Sequence, residues 1–292
     1  MTEAHDDDKP VGRVLTRREM LVLLGGASAA LMAGMSLPRK VSAQGSPTAT
    51  PSPTPLPACV VRPELTEGPY FVDGQLNRFD IRVDPRDGSI KEGLPLRLIY
   101  RVSNVTGGVC APLAGAHVDI WHCDAEGRYS GVQDARFDTS GQMWLRGYQV
   151  TDDRGIAEFL TIVPGWYSGR AVHIHFKIRT DPESTSGYEF TSQLFFDPAQ
   201  IEKVYEDEAY AARGLPNMPN SRDNIFRQSD GLLTLDMAAM TAEMLAELEL
   251  ESGVTATFDI GLDLDDAQTG ASDRAGGAPG GRETSGGRPG RP

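Results

Sequence analysis

The period-two alternation of apolar and polar positions is plainest from Arg170 to Ile178, Arg-Ala-Val-His-Ile-His-Phe-Lys-Ile. That period belongs to a β-strand, and it puts His173 and His175 on one face. Residues 94–102 and 116–122 alternate in the same way, with Val118, Ile120 and His122 sharing one face and His117, Asp119 and Trp121 the other. Further strands are expected at 142–151 and 155–162, on either side of the turn Asp152-Asp153-Arg154-Gly155. Another is expected at 189–196, with Thr191, Gln193 and Phe195 on a common face. Residues 199–213 and 236–250 read as helices, the second rich in Ala, Met, Leu and Glu. A loop lies between them at 215–221, and 254–262 closes the sheet. Short strands punctuated by Gly, Asp and Pro predict a mainly β fold: an antiparallel β-sandwich with short helices and long loops.

Both ends break this pattern. Thr16-Arg17-Arg18 opens a run of Leu, Ala, Gly and Met over residues 21–37, followed by Arg39-Lys40 and Val41-Ser42-Ala43. A charged start, an apolar stretch and a small-x-small exit make an export signal over residues 1–43. The paired arginines point to the twin-arginine route. The run is short and glycine-rich for a spanning helix, so no membrane span is expected after cleavage. Residues 44–57 are Ser, Thr and Pro with little else and read as a linker. Residues 58–264 then form one domain, and 265–292, rich in Gly and Arg, are expected to be disordered.

The 292 residues carry a net charge of -13 and 39% hydrophobic residues, enough for one sizeable core. The acidic balance argues against nucleic acid and anionic membranes as partners. Three cysteines leave one thiol over. Cys59, at the start of the domain, and Cys110, in a loop between strands, are the expected disulfide, with Cys123 buried. Their spacing fits no zinc pattern.

The chemistry centres on His173 and His175. By spacing alone such a pair is as readily two core or surface histidines as half of a metal site. Just before it, Pro164-Gly165-Trp166-Tyr167 is a turn that could bring a phenol to the same point. A Pro-Gly-x-Tyr turn followed by Arg-x-x-His-x-His resembles the ferric-ligand region of the intradiol ring-cleavage dioxygenases, and Tyr167, Arg170, His173 and His175 supply every element. Upstream, Trp121 to Gly127-Arg128-Tyr129 is similar to the family's second tyrosine ligand, and Glu67-Gly68-Pro69-Tyr70 to a stretch lining its active site. The resemblance runs over about residues 59–262.

It implies a non-haem Fe(III) centre held by Tyr129, Tyr167, His173 and His175, with Tyr167 leaving the metal as substrate arrives. Arg170 would stabilise anionic character on the substrate, and Pro69, Tyr70 and Gln193 would help to bind it. Two phenolates and a hydroxide balance a trivalent ion, and phenolate is a hard donor suited to it. The implied reaction opens a catechol-type ring with O2. His117 and His122 read as structural or exposed. The helical dimerisation segment of the intracellular catechol enzymes has no counterpart before Glu67, so a monomer is expected. Two rivals remain: a transthyretin-like binding sandwich, and a zinc or copper hydrolase built on the His-x-His pair.

Overall fold

A computed structural model describes residues 60–182 and 187–265. The expected signal and linker, Cys59 and nearly all of the expected tail lie outside the described residues. Two five-stranded sheets account for the architecture. The first runs β2 (Ala111–Pro112), β1 (Pro95–Asn104), β10 (Val254–Leu262), β9 (Ala238–Ala239), with β5 (Ile156–Ile162) also paired to β1. The second runs β4 (Arg146–Val150), β3 (His117–Trp121), β6 (His173–Arg179), β7 (Glu189–Phe196), β8 (Thr234–Leu235).

Alternation sets the core. Leu96, Leu98, Tyr100 and Val102 of β1 are buried with Phe159 of β5 and Ala256, Phe258 and Ile260 of β10. From the second sheet, Val118, Ile120, Ile174, Phe176 and Ile178 join the same cluster. Rings bridge the layers: Phe176 lies 5.5 Å, centroid to centroid, from both Tyr100 and Phe258. Inward apolar residues from two facing sheets are what a sandwich requires.

Its sheets are mixed, however, and not purely antiparallel. β1 and β10 pair in parallel from Leu96↔Val254 to Asn104↔Leu262, and β7 and β8 pair in parallel too. A parallel neighbour needs a long return connection, and the many residues between β1 and β10 provide it.

Three expected elements differ. The strand over 142–151 begins only at Arg146, because Leu145 takes a φ of 52°, outside the extended region. The helix over 199–213 is two, α1 (Pro198–Val204) and α2 (Glu208–Ala211). Asp207 ends the first by capping the second, its side chain accepting from the Ala209 N–H. In 236–250 Ala238 and Ala239 pair with β10, and the helix shrinks to α4 (Ala242–Glu247). Sheet pairing there overrides alanine's helix propensity. A short helix not anticipated from sequence, α3 (Asn224–Gln228), precedes β8.

β6 positions the site. Ile174, Phe176 and Ile178 enter the core, so His173, His175 and Lys177 face the other way, yet they are buried as well. A segment ahead of β1 covers that face. Leu65 N–H donates to Thr191 O at 3.0 Å, and the Phe71 ring lies 4.8 Å from Trp121. Lys177 pairs with Glu67 and with Glu189 (2.7 Å) while its ammonium sits 4.5 Å from the Phe71 ring. No described helix is long and apolar enough to cross a membrane. Cys110 is disulfide-bonded, and Cys123 is a free, buried thiol.

Candidate metal centre

Two turns deliver the phenols. After β3, Asp124 organises the loop to Tyr129: its carboxylate accepts from the backbone N–H of Glu126 (3.1 Å) and Arg128 (2.9 Å) and from Lys91 Nζ (3.0 Å). Its carbonyl takes the N–H of Gly127 at 2.9 Å and that of Gly165, in the other turn, at 3.1 Å. The turns therefore meet backbone to backbone. A Cβ on Gly165 would stand 2.4 Å from the carbonyl oxygens of Asp124 and Ala125, and one on Gly127 2.1 Å from that of Trp166. Glycine at both positions permits the approach.

Tyr129, Tyr167, His173 and His175 converge, each at most 3% exposed. His173 Nε2 lies 3.3 Å from Tyr129 Oη, 3.2 Å from Tyr167 Oη and 3.1 Å from His175 Nε2. The opposite nitrogen fixes its tautomer: Nδ1–H donates to the Ala171 carbonyl at 2.7 Å, so Nε2 presents a lone pair to the cluster. Burial, reinforced by the Arg170 charge, holds His173 well below its usual range. Burial and the neighbouring His173 do the same for His175. Both imidazoles are thus neutral, as metal ligands must be. Burial raises Tyr129 well above a free phenol, so only a strong local positive charge would ionise it.

Ligand bonds of about 2.1 Å set roughly 90–110° apart would separate donor atoms by about 3.0–3.4 Å. The three spacings from His173 Nε2 fall in that range, as those of ligands sharing one metal ion would. Among the described residues no group of three His, Cys, Asp or Glu is placed to hold a metal, and the side-chain oxygens that meet the two imidazoles are those of Tyr129 and Tyr167. A sandwich serving only to bind would have no reason to bury four such donors together.

The surroundings fix the cluster. Trp121 stacks on His175 with centroids 5.1 Å apart and Tyr70 on Tyr129 at 4.5 Å, while the Tyr70 hydroxyl donates to Asp134 at 2.7 Å. Pro69, beside it, is exposed. Arg170 is buried; its Nε donates to Asp223 Oδ2 at 2.9 Å and its Nη2 to Gln193 Oε1 at 2.6 Å. Gln193 Nε2 in turn donates to the Thr66 carbonyl at 2.9 Å, tying the arginine to the segment that carries Tyr70. His122 is structural, held between the Cys123 carbonyl (2.8 Å) and the Thr161 hydroxyl (2.7 Å). His117 is half-buried and stacks on Tyr148. Sequence reasoning missed Asp134 and Asp223. Aspartate after a Pro-Asn-rich loop gives only a capping signal, and Asp223 does cap α3.

Residues 66–215, just over half of the chain, match a family model described as dioxygenase, and the span contains all four donors. The chain belongs to the intradiol ring-cleavage dioxygenase family. Among its relatives, the chlorocatechol 1,2-dioxygenase of Pseudomonas putida is 30% identical over 156 residues, covering 45% of the chain and 52% of that protein. The catechol 1,2-dioxygenase 1 of Acinetobacter lwoffii is 28% identical over 177 residues, covering 52% and 50%. The chain therefore spans about half the length of the curated relatives it matches. An intradiol ring-cleavage dioxygenase structure from Tetranychus urticae superposes with a TM-score of 0.56 at 26% identity, covering 70% of this chain and 95% of that chain.

Proposed function

We propose that this dioxygenase holds ferric iron through Tyr129, Tyr167, His173 and His175. In this reading it opens a catechol-type ring between its two hydroxylated carbons, placing both atoms of O2 in a cis,cis-muconate-type diacid. The convergence of two phenol oxygens on two neutral imidazoles in a buried cluster carries this reading. Phenolate is a hard anionic donor, and a trivalent ion beside it would ionise a phenol whose ordinary pKa is about 10. When bound, the iron would supply a Lewis acid that draws electron density from the dihydroxylated ring and readies it for O2.

The chain's own residues do the rest. Tyr167 stands on a turn, and its Oη, ionised while the iron is bound, can take a proton from a catechol hydroxyl and withdraw as the neutral phenol. Tyr129, braced by the Tyr70 ring and by the loop around Asp124, stays in place. The Arg170 guanidinium stabilises the anionic ring. Trp121 and Tyr70 hold their rings against His175 and Tyr129. The names of the relatives support catechols as the substrate class, and oxygen uptake across catechol, protocatechuate, hydroxyquinol and caffeate would rank ring substituents.

Iron-loaded protein should be wine-red from phenolate-to-iron charge transfer, with a band that moves on adding catechol. A colourless protein with a full complement of iron would refute the proposal. The same reading takes residues 1–43 as a twin-arginine export signal cleaved after Ala43 and 44–57 as a linker. Mass spectrometry of the mature N-terminus tests this, and an intact Met1 on exported protein would overturn it.

A further inference from the structure

We propose that Asp223 is a positioning residue for the metal centre, setting Arg170 by direct contact and His173 through the Ala171 backbone. Building on the dioxygenase reading, the inference assigns a role to a residue outside both the donor set and the pocket wall.

The carboxylate has no freedom to turn. Its Oδ1 accepts the N–H groups of Ile225 (2.8 Å) and Phe226 (2.9 Å), capping α3. Its Oδ2 points the other way and accepts Arg170 Nε at 2.9 Å and the Ala171 N–H at 2.8 Å. A helix cap needs only the first oxygen. The second is committed to the stretch between Tyr167 and His173.

Both arms of that commitment reach the site. Arg170, 2% exposed against 0% for Asp223, is held at Nε by the carboxylate and at Nη2 by Gln193, so its plane is fixed. Ala171 gives its N–H to Asp223 and its carbonyl to His173 Nδ1–H at 2.7 Å. The residue that orients the imidazole is thus itself anchored by Asp223. A misplacement of about 1 Å at such a distance from the chemistry can cost on the order of a hundredfold in rate.

The test compares Asp223→Asn, Arg170→Gln and the double variant with the full chain. In metal-free protein, the Arg170 Nε–H should give a slowly exchanging proton resonance that exchanges at least tenfold faster in Asp223→Asn. This readout needs no activity, so it tests the Asp223–Arg170 contact even if the iron reading fails. In iron-loaded protein, Asp223→Asn should lower kcat about a hundredfold, weaken iron binding at least tenfold and displace the charge-transfer band. Arg170→Gln should lower kcat while keeping iron affinity and colour. If Asp223→Asn does not fold, the double variant, which leaves no buried charge unpaired, should bind iron at least tenfold more weakly than Arg170→Gln. Unchanged exchange, colour and kcat in Asp223→Asn, with only a lower melting temperature, would reduce Asp223 to a helix cap and overturn the proposal. Equal iron affinity in the double variant and Arg170→Gln would overturn it too.

Discussion

Replacing Gly165 by alanine tests whether the two phenol-bearing turns must touch. The new Cβ would stand 2.4 Å from two carbonyl oxygens, those of Asp124 and Ala125, both backbone and so unable to swing aside. Ordinary carbon–oxygen contact lies near 3.4 Å, so one turn must retreat by about 0.6–1 Å. Gly165 is not among the glycines with positive φ, so alanine strains nothing else. Overpacking of this kind costs about 1–3 kcal/mol. For a domain of this size that is a fall of very roughly 2–12 °C in the melting temperature of metal-free protein. The larger effect falls on the metal. Tyr167 follows Gly165 by two residues and Tyr129 follows Ala125 by four, so the retreat disturbs phenol oxygens that now stand 3.2 and 3.3 Å from His173 Nε2. Iron titration followed by the charge-transfer band should show affinity reduced more than tenfold. Gly141→Ala is the control, a glycine with φ of 78° and nothing within 4 Å of its Cβ, which should lose some stability but no iron. Gly165→Ala protein with unaltered band and affinity would show that the turns are not wedged as described.

Other substitutions and conditions probe separate parts of the argument. Tyr167→Phe should keep iron better than His175→Ala yet shift its band differently on adding catechol; equal loss of iron, measured by metal analysis after dialysis, would contradict the assigned roles. Tyr100 has a buried hydroxyl without a hydrogen-bond partner amid Phe159, Phe176 and Phe258, so Tyr100→Phe should stabilise the fold by about 1 kcal/mol, read as a rise in melting temperature. Burial pushes His122 down to about 4, so its contribution is whole above pH ~6.5 and lost as pH falls towards 4, at about 1.4 kcal/mol per pH unit. His173 and His175 shift in the same sense. Asp119, lifted by burial to about 6 despite Arg179, works in the opposite sense for a single proton. Urea unfolding of metal-free protein should therefore show stability falling from pH 6.5 to 4.5, and a flat profile would contradict the burial of these imidazoles.

Where a strand has one face in the core and one in a polar layer, the sequence disclosed it. His117, Asp119 and Trp121 do share a side of β3, and His173 and His175 a side of β6, because side-chain period is local. The convergence of Tyr129, Tyr167, His173 and His175 was legible for a related reason: three of the four lie within nine residues of one another. What stayed hidden depends on partners far along the chain. Asp223 meets Arg170 across 53 positions, and no local pattern marks such a pair. Ala238 and Ala239 read as helix until the edge of β10 claims them. The parallel pairing of β1 with β10 likewise follows from how the chain returns, not from the alternation within either strand.

β6 has no idle side. Phe176 is wedged between Tyr100 and Phe258 one residue after His175, and Ile174 separates the two imidazoles. Any swap that rotates this strand to improve its hydrophobic fit also turns the histidines. A library randomised at Ile174, Phe176 and Ile178 and sorted for heat resistance would thus sort for pigment as well, and a change of hue would report repacking before any assay was run.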